Sequence, residues 1–146
     1  MKEYIKEYIL SNIEDMAGRT VYMCDLSSYL YESDNMTGSI TCNRAEAEEF
    51  LTEHKAEFVN VLKYWKFHAG DEFSNNIAID YFENPEKAHC ILVFAYVDAV
   101  LNLYLGQRDD WNEEKEITPE FIEEIKNNID SMIDAGFADM DSYGND

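Results

Sequence analysis

Three histidines are the first side chains in this sequence that could do acid–base chemistry or bind a metal ion. His54, His68 and His89 show no H-x-x-x-H or H-E-x-x-H relation, and none lies at metal-ligand spacing from a cysteine, so no metal site is predicted. His89 lies one turn into an apolar segment, where a core histidine hydrogen-bonded to a neighbour is favoured over a general base. We therefore expect no catalytic residue and no cofactor.

Motifs for nucleotide, hydrolase and calcium chemistry give no support for an enzyme either. The sequence contains no G-x-x-x-x-G-K, G-x-G-x-x-G or G-x-S-x-G pattern. The segment Asp139-Met140-Asp141-Ser142-Tyr143-Gly144 places two carboxylates and a glycine as a calcium loop does, but Tyr143 occupies the fifth position, where a ligand is needed. An EF-hand is therefore not predicted.

The carboxylates have a second possible use, which is electrostatic. Residues 109–146 hold thirteen of the 31 acidic residues and only two lysines, and so carry more than half of the formal net charge of −20. Residues four apart on an α-helix rise about 6 Å, which is comparable to the spacing of backbone phosphates. A helical row of acids can therefore imitate the charge pattern of a nucleic acid.

Such a surface repels free nucleic acid and anionic membranes and attracts basic protein surfaces, such as the DNA channels of nucleic-acid enzymes. The predicted partner-binding set consists of eight acids: Asp109, Asp110, Glu113, Glu114, Glu116, Glu120, Glu123 and Glu124. Ten tyrosines add flat amphipathic contact area, which favours a protein-binding surface. The alternative is that the acids serve only solubility.

Hydrophobic periodicity predicts the framework that must hold these acids. It indicates an α+β, mainly helical fold with about four helices and a small β-hairpin or short sheet. The first helix spans Lys2 to Met16. Arg19 to Cys24 and Ser39 to Cys42 are the strand candidates, and Leu26 to Leu30 is open between a helical turn and an extended segment.

A capping box at Asn43 and Glu46 begins a long second helix that is expected to end near Gly70, before a polar loop from Asp71 to Asn76. Asn84-Pro85-Glu86 supplies an N-cap, a proline at the first helical position and an acid in the first turn. The helix that follows, residues 85–105, is apolar on nearly every face, and we predict it to be the central core helix.

The C-terminal part repeats the same start signal. After a polar linker, residues 107–117, the sequence Thr118-Pro119-Glu120 begins a last helix that should run to about Ala135. We expect one compact domain, residues 1–136, followed by an acidic, frayed tail, residues 137–146.

Asp98 is the one charge in the middle of the apolar helix. Because a buried unpaired carboxylate is costly, it should reach the surface or meet Arg19, Arg44 or a tyrosine hydroxyl. It also interrupts the longest apolar stretch, Cys90 to Val97, which is far shorter than the roughly 20 residues that cross a bilayer.

The cellular compartment is predicted from the N-terminus and the cysteines. The first residues carry Glu3 and Glu7 where a secretory signal needs an apolar run. Three cysteines, an odd number without C-x-x-C spacing, are typical of reduced thiols. We expect a soluble protein of the cytoplasm.

Two short motifs carry a family resemblance. Asn35-Met36-Thr37-Gly38-Ser39-Ile40-Thr41, followed by a helix rich in Ala and Glu, and Phe82-Glu83-Asn84-Pro85-Glu86-Lys87-Ala88-His89 resemble a family of uncharacterised proteins of phages and mobile elements of Firmicutes. The similar stretch covers roughly residues 20–105. The resemblance implies a phage or prophage setting and brings no catalytic residue. In general character the chain is similar to anti-CRISPR and anti-restriction inhibitors.

These observations together predict a non-enzymatic, phage-type inhibitor. Its acidic face would act as a nucleic-acid mimic on a basic, nucleic-acid-handling surface of a host defence nuclease, in an anti-CRISPR role with a Cas9-type target as one case. It would bind no nucleic acid and no membrane itself. The alternative is a small self-associating scaffold protein, a homodimer whose acidity serves solubility. An enzyme using His89 and a nearby carboxylate is the third hypothesis.

Overall fold

A computed structural model describes residues 1–33 and 43–144 of the chain. These residues form seven α-helices, a short 3-10 helix and a two-stranded antiparallel sheet, in the following order: α1 (Lys2–Glu14), β1 (Thr20–Tyr22), the 3-10 helix (Met23–Asp25), α2 (Leu26–Ser33), α3 (Arg44–Glu53), α4 (Lys55–Ala69), α5 (Asp71–Glu83), α6 (Pro85–Leu105), β2 (Glu114–Glu116) and α7 (Pro119–Gly144). The predicted mainly helical fold with a small sheet is confirmed. The predicted number of about four helices is wrong.

Helix α6 lies at the centre of the fold, as its composition predicts. It packs against all six other α-helices of the described residues. Its buried side chains include Leu92, Tyr96, Val97 and Leu101, each with no exposed surface. Among the described residues, α6 is also the only helix long and apolar enough to span a membrane, and most of it is buried inside the protein, as expected of a core helix.

The long helix predicted from residue 43 to residue 70 is two helices. The capping box is present, since Asn43 Oδ1 accepts a hydrogen bond from the Glu46 amide at 2.8 Å. The helix breaks at His54, whose φ of −116° and ψ of 36° are not helical. The break lets α3 pack mainly on α6 while α4 packs on α5 and α7. Tertiary packing therefore overrides a helical period that continues through the break.

The predicted polar loop from Asp71 to Asn76 is wrong, because this segment begins α5. Gly70 reverses the chain with a φ of 97°, a conformation that only glycine adopts at low cost. Asp71 and Glu72 then place negative charge at the positive end of the helix. Ser74 is buried and donates a hydrogen bond to the Leu62 carbonyl at 2.8 Å, which ties α5 to α4. The segment from Leu26 to Leu30, for which the sequence allowed either a helical turn or an extended conformation, is helical and lies in α2.

The sheet joins parts of the chain that lie far apart in sequence. The predicted strand at Arg19 to Cys24 contains β1, and the other candidate, Ser39 to Cys42, lies outside the described residues. The partner of β1 is β2, with Val21 opposite Lys115. Residues 107–117 were predicted to be a polar linker, so this pairing was missed. The alternation of charges in Glu-Lys-Glu hides the strand, since it lacks the β-branched residues that strands favour.

Helix α7 does not end near Ala135, and residues 137–144 of the predicted frayed tail are helical. The amphipathic stripe continues past Gly136, so that Phe137 and Met140 are buried in the same core as α1 and α6. Gly136 itself faces α6. A Cβ atom at this position would lie 2.5 Å from Val100 Cγ2, so the missing side chain permits the close approach of the two helices.

Candidate partner-binding surface

The eight predicted acids lie on three consecutive pieces of the chain that follow the core helix. Asp109, Asp110 and Glu113 lie in the connection from α6, Glu114 and Glu116 on β2, and Glu120, Glu123 and Glu124 on the first turns of α7. Six of them are exposed, and Asp110 and Glu124 are half-buried. The predicted set therefore divides into two groups with different surroundings.

Arg108 neutralises the two half-buried acids. Its Nε lies 2.9 Å from Asp110 Oδ1 and its Nη1 lies 2.6 Å from Glu124 Oε2, while the guanidinium lies 5.4 Å from the centre of the Phe121 ring. The hydrogen bond from Arg108 lowers the pKa of the Asp110 carboxyl. Tyr104 donates a further hydrogen bond to Glu124 at 2.7 Å. Burial, and then the bond to Glu124, raise the pKa of this tyrosine to about 12. These two acids hold the connection against α6 and α7 and are poorly placed to meet a partner.

The other six acids form what we call the acidic surface: Asp109, Glu113, Glu114, Glu116, Glu120 and Glu123. None of the six makes an ion pair within 4.0 Å in the part of the chain that the structure describes. In the β1–β2 ladder, Glu114 and Glu116 stand on the outer face, opposite Tyr22 and Thr20. Their charges are therefore open to a partner.

The backbone of the acidic surface is anchored on both sides. Glu113 accepts a hydrogen bond from the Met23 amide at 3.1 Å, and Ile117 bonds through its amide to Arg19 and through its carbonyl to Gly18. The Ile117 side chain has no exposed surface. Thr118 caps α7 by accepting a hydrogen bond from the Phe121 amide at 3.1 Å, which confirms the predicted start of this helix. The backbone that carries Glu113, Glu114 and Glu116 is therefore held in a fixed arrangement.

The predicted row of carboxylates does not extend unbroken along α7. Helix α1 runs antiparallel to α7, and Lys6 Nζ lies 2.9 Å from Asp130 while Lys2 Nζ lies 3.1 Å from Asp134. In the opposite sense, Lys126 of α7 pairs with Glu14 of α1 at 2.5 Å. The unneutralised acids of α7 that belong to the predicted set are thus confined to its first two turns. The charge complementarity of α1 and α7 is the sequence signal that would have indicated this.

Asp98 meets a tyrosine hydroxyl, one of the partners expected from the sequence. Its carboxylate accepts hydrogen bonds from Ser27 at 2.9 Å, from Asn102 at 2.8 Å and from the Tyr64 hydroxyl. Burial, and then the charge of Asp98, raise the pKa of Tyr64, so the phenol stays protonated and can donate. Arg44 of α3, another partner that was expected for Asp98, instead donates hydrogen bonds to the carbonyls of Phe82 and Glu83.

His89 is buried, but it does not have the hydrogen-bonded environment that the sequence suggested. Its Nδ1 has no hydrogen-bond partner among the described residues. Its ring packs at 4.4 Å from the ring of Phe50 and at 6.3 Å from that of Tyr4. Burial, and then the neighbouring His54, lower the pKa of His89 to about 4. A neutral ring enclosed by aromatic side chains has the surroundings of a core residue.

A small open recess adjoins Asp98, and no pattern in the sequence indicates that its lining residues come together. We call it the Asp98 recess; its lining residues are Tyr64, His68, Asp98, Ala99, Asn102, Leu103, Asp139 and Tyr143. They come from α4, α6 and the end of α7. Only spacings within one helix, such as Tyr64 to His68 and Asp98 to Asn102, could have been seen in the sequence.

No family model, no curated protein and no solved structure matches this chain.

Proposed function

We propose that this chain is a non-enzymatic inhibitor that binds a basic, nucleic-acid-handling surface of a host defence nuclease, in the first instance a CRISPR effector in the cytoplasm of a phage-infected host. The observation that carries the proposal is the acidic surface, whose six carboxylates are exposed and without ion pairs among the described residues. A basic channel that normally holds phosphates would exchange them for these carboxylates.

The support beneath the charges favours binding over mere solubility. Acids that serve only solubility need no fixed arrangement, whereas Glu113 to Ile117 are held by backbone hydrogen bonds to the segment from Gly18 to Met23. A partner that meets such a surface does not have to order it, and the entropic cost of association is correspondingly smaller. The exposed Tyr22, beside Glu114, adds an amphipathic ring at the edge of the patch.

The test is a fourfold charge reversal, Asp109→Lys, Glu113→Lys, Glu114→Lys and Glu116→Lys, in a DNA-cleavage assay with a purified CRISPR effector. These four acids lie outside the α-helices and have no ion pair in the described chain, so the fold should be retained. If each lost charge pair contributes about 0.5–1 kcal/mol, affinity should fall at least about 30-fold. Wild-type inhibition should weaken steeply with salt and should be relieved when duplex DNA is added first.

A matched control changes the net charge by the same amount elsewhere. Glu7, Glu49, Glu53 and Glu83 are exposed acids on α1, α3 and α5 without ion pairs in the described residues. Reversal of these four to lysine should leave inhibition within about twofold of wild type. If both variants lost inhibition equally, the loss would be explained by net charge alone and not by the position of the acids. Full inhibition by the fourfold variant of the acidic surface would reject the proposal.

A second candidate function is that of a self-associating scaffold protein, which a specific observation supports. Two large aromatic side chains are strongly exposed, Phe67 at the end of α4 by 75% and Phe82 at the end of α5 by 76%. Aromatic side chains are enriched in protein–protein contact surfaces. A dimer that persists in high salt in light scattering, and that Phe67→Ser with Phe82→Ser converts to monomer, would support this function.

A further inference from the structure

The Asp98 recess is lined by two carboxylates and, among the described residues, by no lysine or arginine. The three groups that donate to the Asp98 carboxylate are neutral: a serine hydroxyl, an amide and the Tyr64 phenol. Asp139, which also lines the recess, has no ion pair in the part of the chain that the structure describes. Two carboxylates are therefore held near each other without a cation.

Three rings form the walls of the recess. Tyr64 and His68 lie on successive turns of α4 with their ring centres 4.4 Å apart, and Tyr143 of α7 meets Tyr64 edge to face at 5.3 Å. The Tyr143 hydroxyl lies 3.1 Å from His68 Nε2, which fixes the two rings relative to each other. Aromatic faces attract cations by about 0.5–2 kcal/mol each, and they stack well on planar groups.

One of the lining residues, Asn102, carries an unsatisfied hydrogen-bond acceptor. The side-chain amide of Asn102 donates a hydrogen bond from Nδ2 to the Asp98 carboxylate. The amide oxygen, Oδ1, therefore points away from Asp98. This Oδ1 is buried and has no hydrogen-bond partner among the described residues. A desolvated acceptor without a donor costs about 1–3 kcal/mol, which an N–H donor that reaches it would recover.

We infer that the Asp98 recess binds the guanidinium group of an arginine side chain presented by a basic partner protein. Guanidinium combines a positive charge for Asp98 and Asp139, a planar surface for the rings and several N–H donors for the Asn102 amide oxygen. The ammonium group of a lysine side chain is not planar and cannot stack on the rings in this way. The described residues provide no cluster of three His, Cys, Asp or Glu side chains that would hold a metal ion.

The inference does not rest on the proposed inhibitor function, because it involves none of the acids of the acidic surface. A basic partner could nevertheless use both sites. The acidic surface would supply long-range attraction, and the recess would select one arginine by shape.

The test titrates the isotope-labelled chain with N-acetyl-arginine amide at pH 7.5 and constant ionic strength, observed by ¹H–¹⁵N NMR. The neutral citrulline amide, which keeps the planar shape, and N-acetyl-lysine amide, which keeps the charge, are the reference ligands. Saturating shifts confined to the Asn102 side-chain amide and to the backbone around His68, Asp98 and Tyr143 are expected. A ligand of this size should bind with a dissociation constant on the order of ten millimolar.

Two variants leave Asp98 and its hydrogen bonds in place. Asp139→Asn removes one charge and should weaken arginine binding roughly fivefold, and Tyr143→Leu removes one wall and should weaken it by a similar factor. Glu123→Gln, an exposed acid on the same helix but on the acidic surface, is the matched control and should bind as wild type does.

Several outcomes would overturn the inference. They are shifts that do not saturate, equal binding of citrulline, equal binding of lysine, and an Asp139→Asn variant with unchanged affinity. The Glu123→Gln control separates the two proposals. A loss of arginine binding in this variant would assign the cation site to the acidic surface and not to the recess.

Discussion

The buried histidine of α6 makes the stability of this protein depend on pH in a predictable way. His89 is 4% exposed, and its pKa in the folded protein is lowered from 6.5 to about 4 by burial and by His54. The unfolded chain therefore binds a proton between these two values while the folded chain does not. Stability from this group is fully present above pH 6.5 and is lost as the pH falls towards 4.

The size of this pH dependence of stability follows from the lowering of the His89 pKa. At pH 7.5 both states are almost wholly deprotonated at this position, so the loss is close to zero. At pH 5 the full linkage amounts to about 2 kcal/mol, and residual access of water to the ring reduces it to roughly 1–2 kcal/mol. Replacement by leucine, which has a similar volume and no proton to bind, should remove this dependence. It also removes the unpartnered Nδ1 from the core.

The assay is urea unfolding of wild type and His89→Leu at several pH values between 5 and 7.5. Both proteins share all their other ionisable groups, so the difference in unfolding free energy reports His89 together with its interaction with His54. Leu92→Val, a buried change on the next turn of the same helix, is the control and should shift stability by about 1 kcal/mol at every pH. A difference in unfolding free energy between wild type and His89→Leu that stays constant within roughly 0.3 kcal/mol over this range would contradict this account of His89.

Two further predictions concern the packing of α7 and the support of the acidic surface. Gly136→Ala should destabilise the protein by about 1–2 kcal/mol, because the clash with Val100 exceeds the gain of up to about 1 kcal/mol in helix propensity. Thermal unfolding would measure this loss of stability, and an increase in Tm would contradict the prediction. Arg108→Gln should cost about 1 kcal/mol at low salt, and less in high salt, because it leaves Asp110 and Glu124 without a counter-ion. Lys2→Gln breaks a more exposed ion pair and should cost less than about 0.5 kcal/mol in the same urea titration. An equal cost for the two variants would contradict the structural role of Arg108.

Features whose causes lie within one or two helical turns could be predicted from the sequence. Asn43 with Glu46 forms the predicted capping box, Thr118 caps α7, and Pro85 begins the apolar helix that lies at the core. The concentration of acids after residue 108 is likewise a property of the sequence. A cap, a proline or a local charge acts on its immediate neighbours, so the sequence around it suffices to identify its effect.

Which of those acids remain without an ion pair, and which polar side chains meet, depends on how the helices pack. Arg108 removes Asp110 and Glu124 from the predicted set, and β2 is recognisable as a strand only through its pairing with β1. The division of the second helix at His54 and the Asp98 recess have the same origin. Each depends on contacts between residues tens of positions apart, which are fixed when α6 packs simultaneously against all its neighbours and not by any local preference.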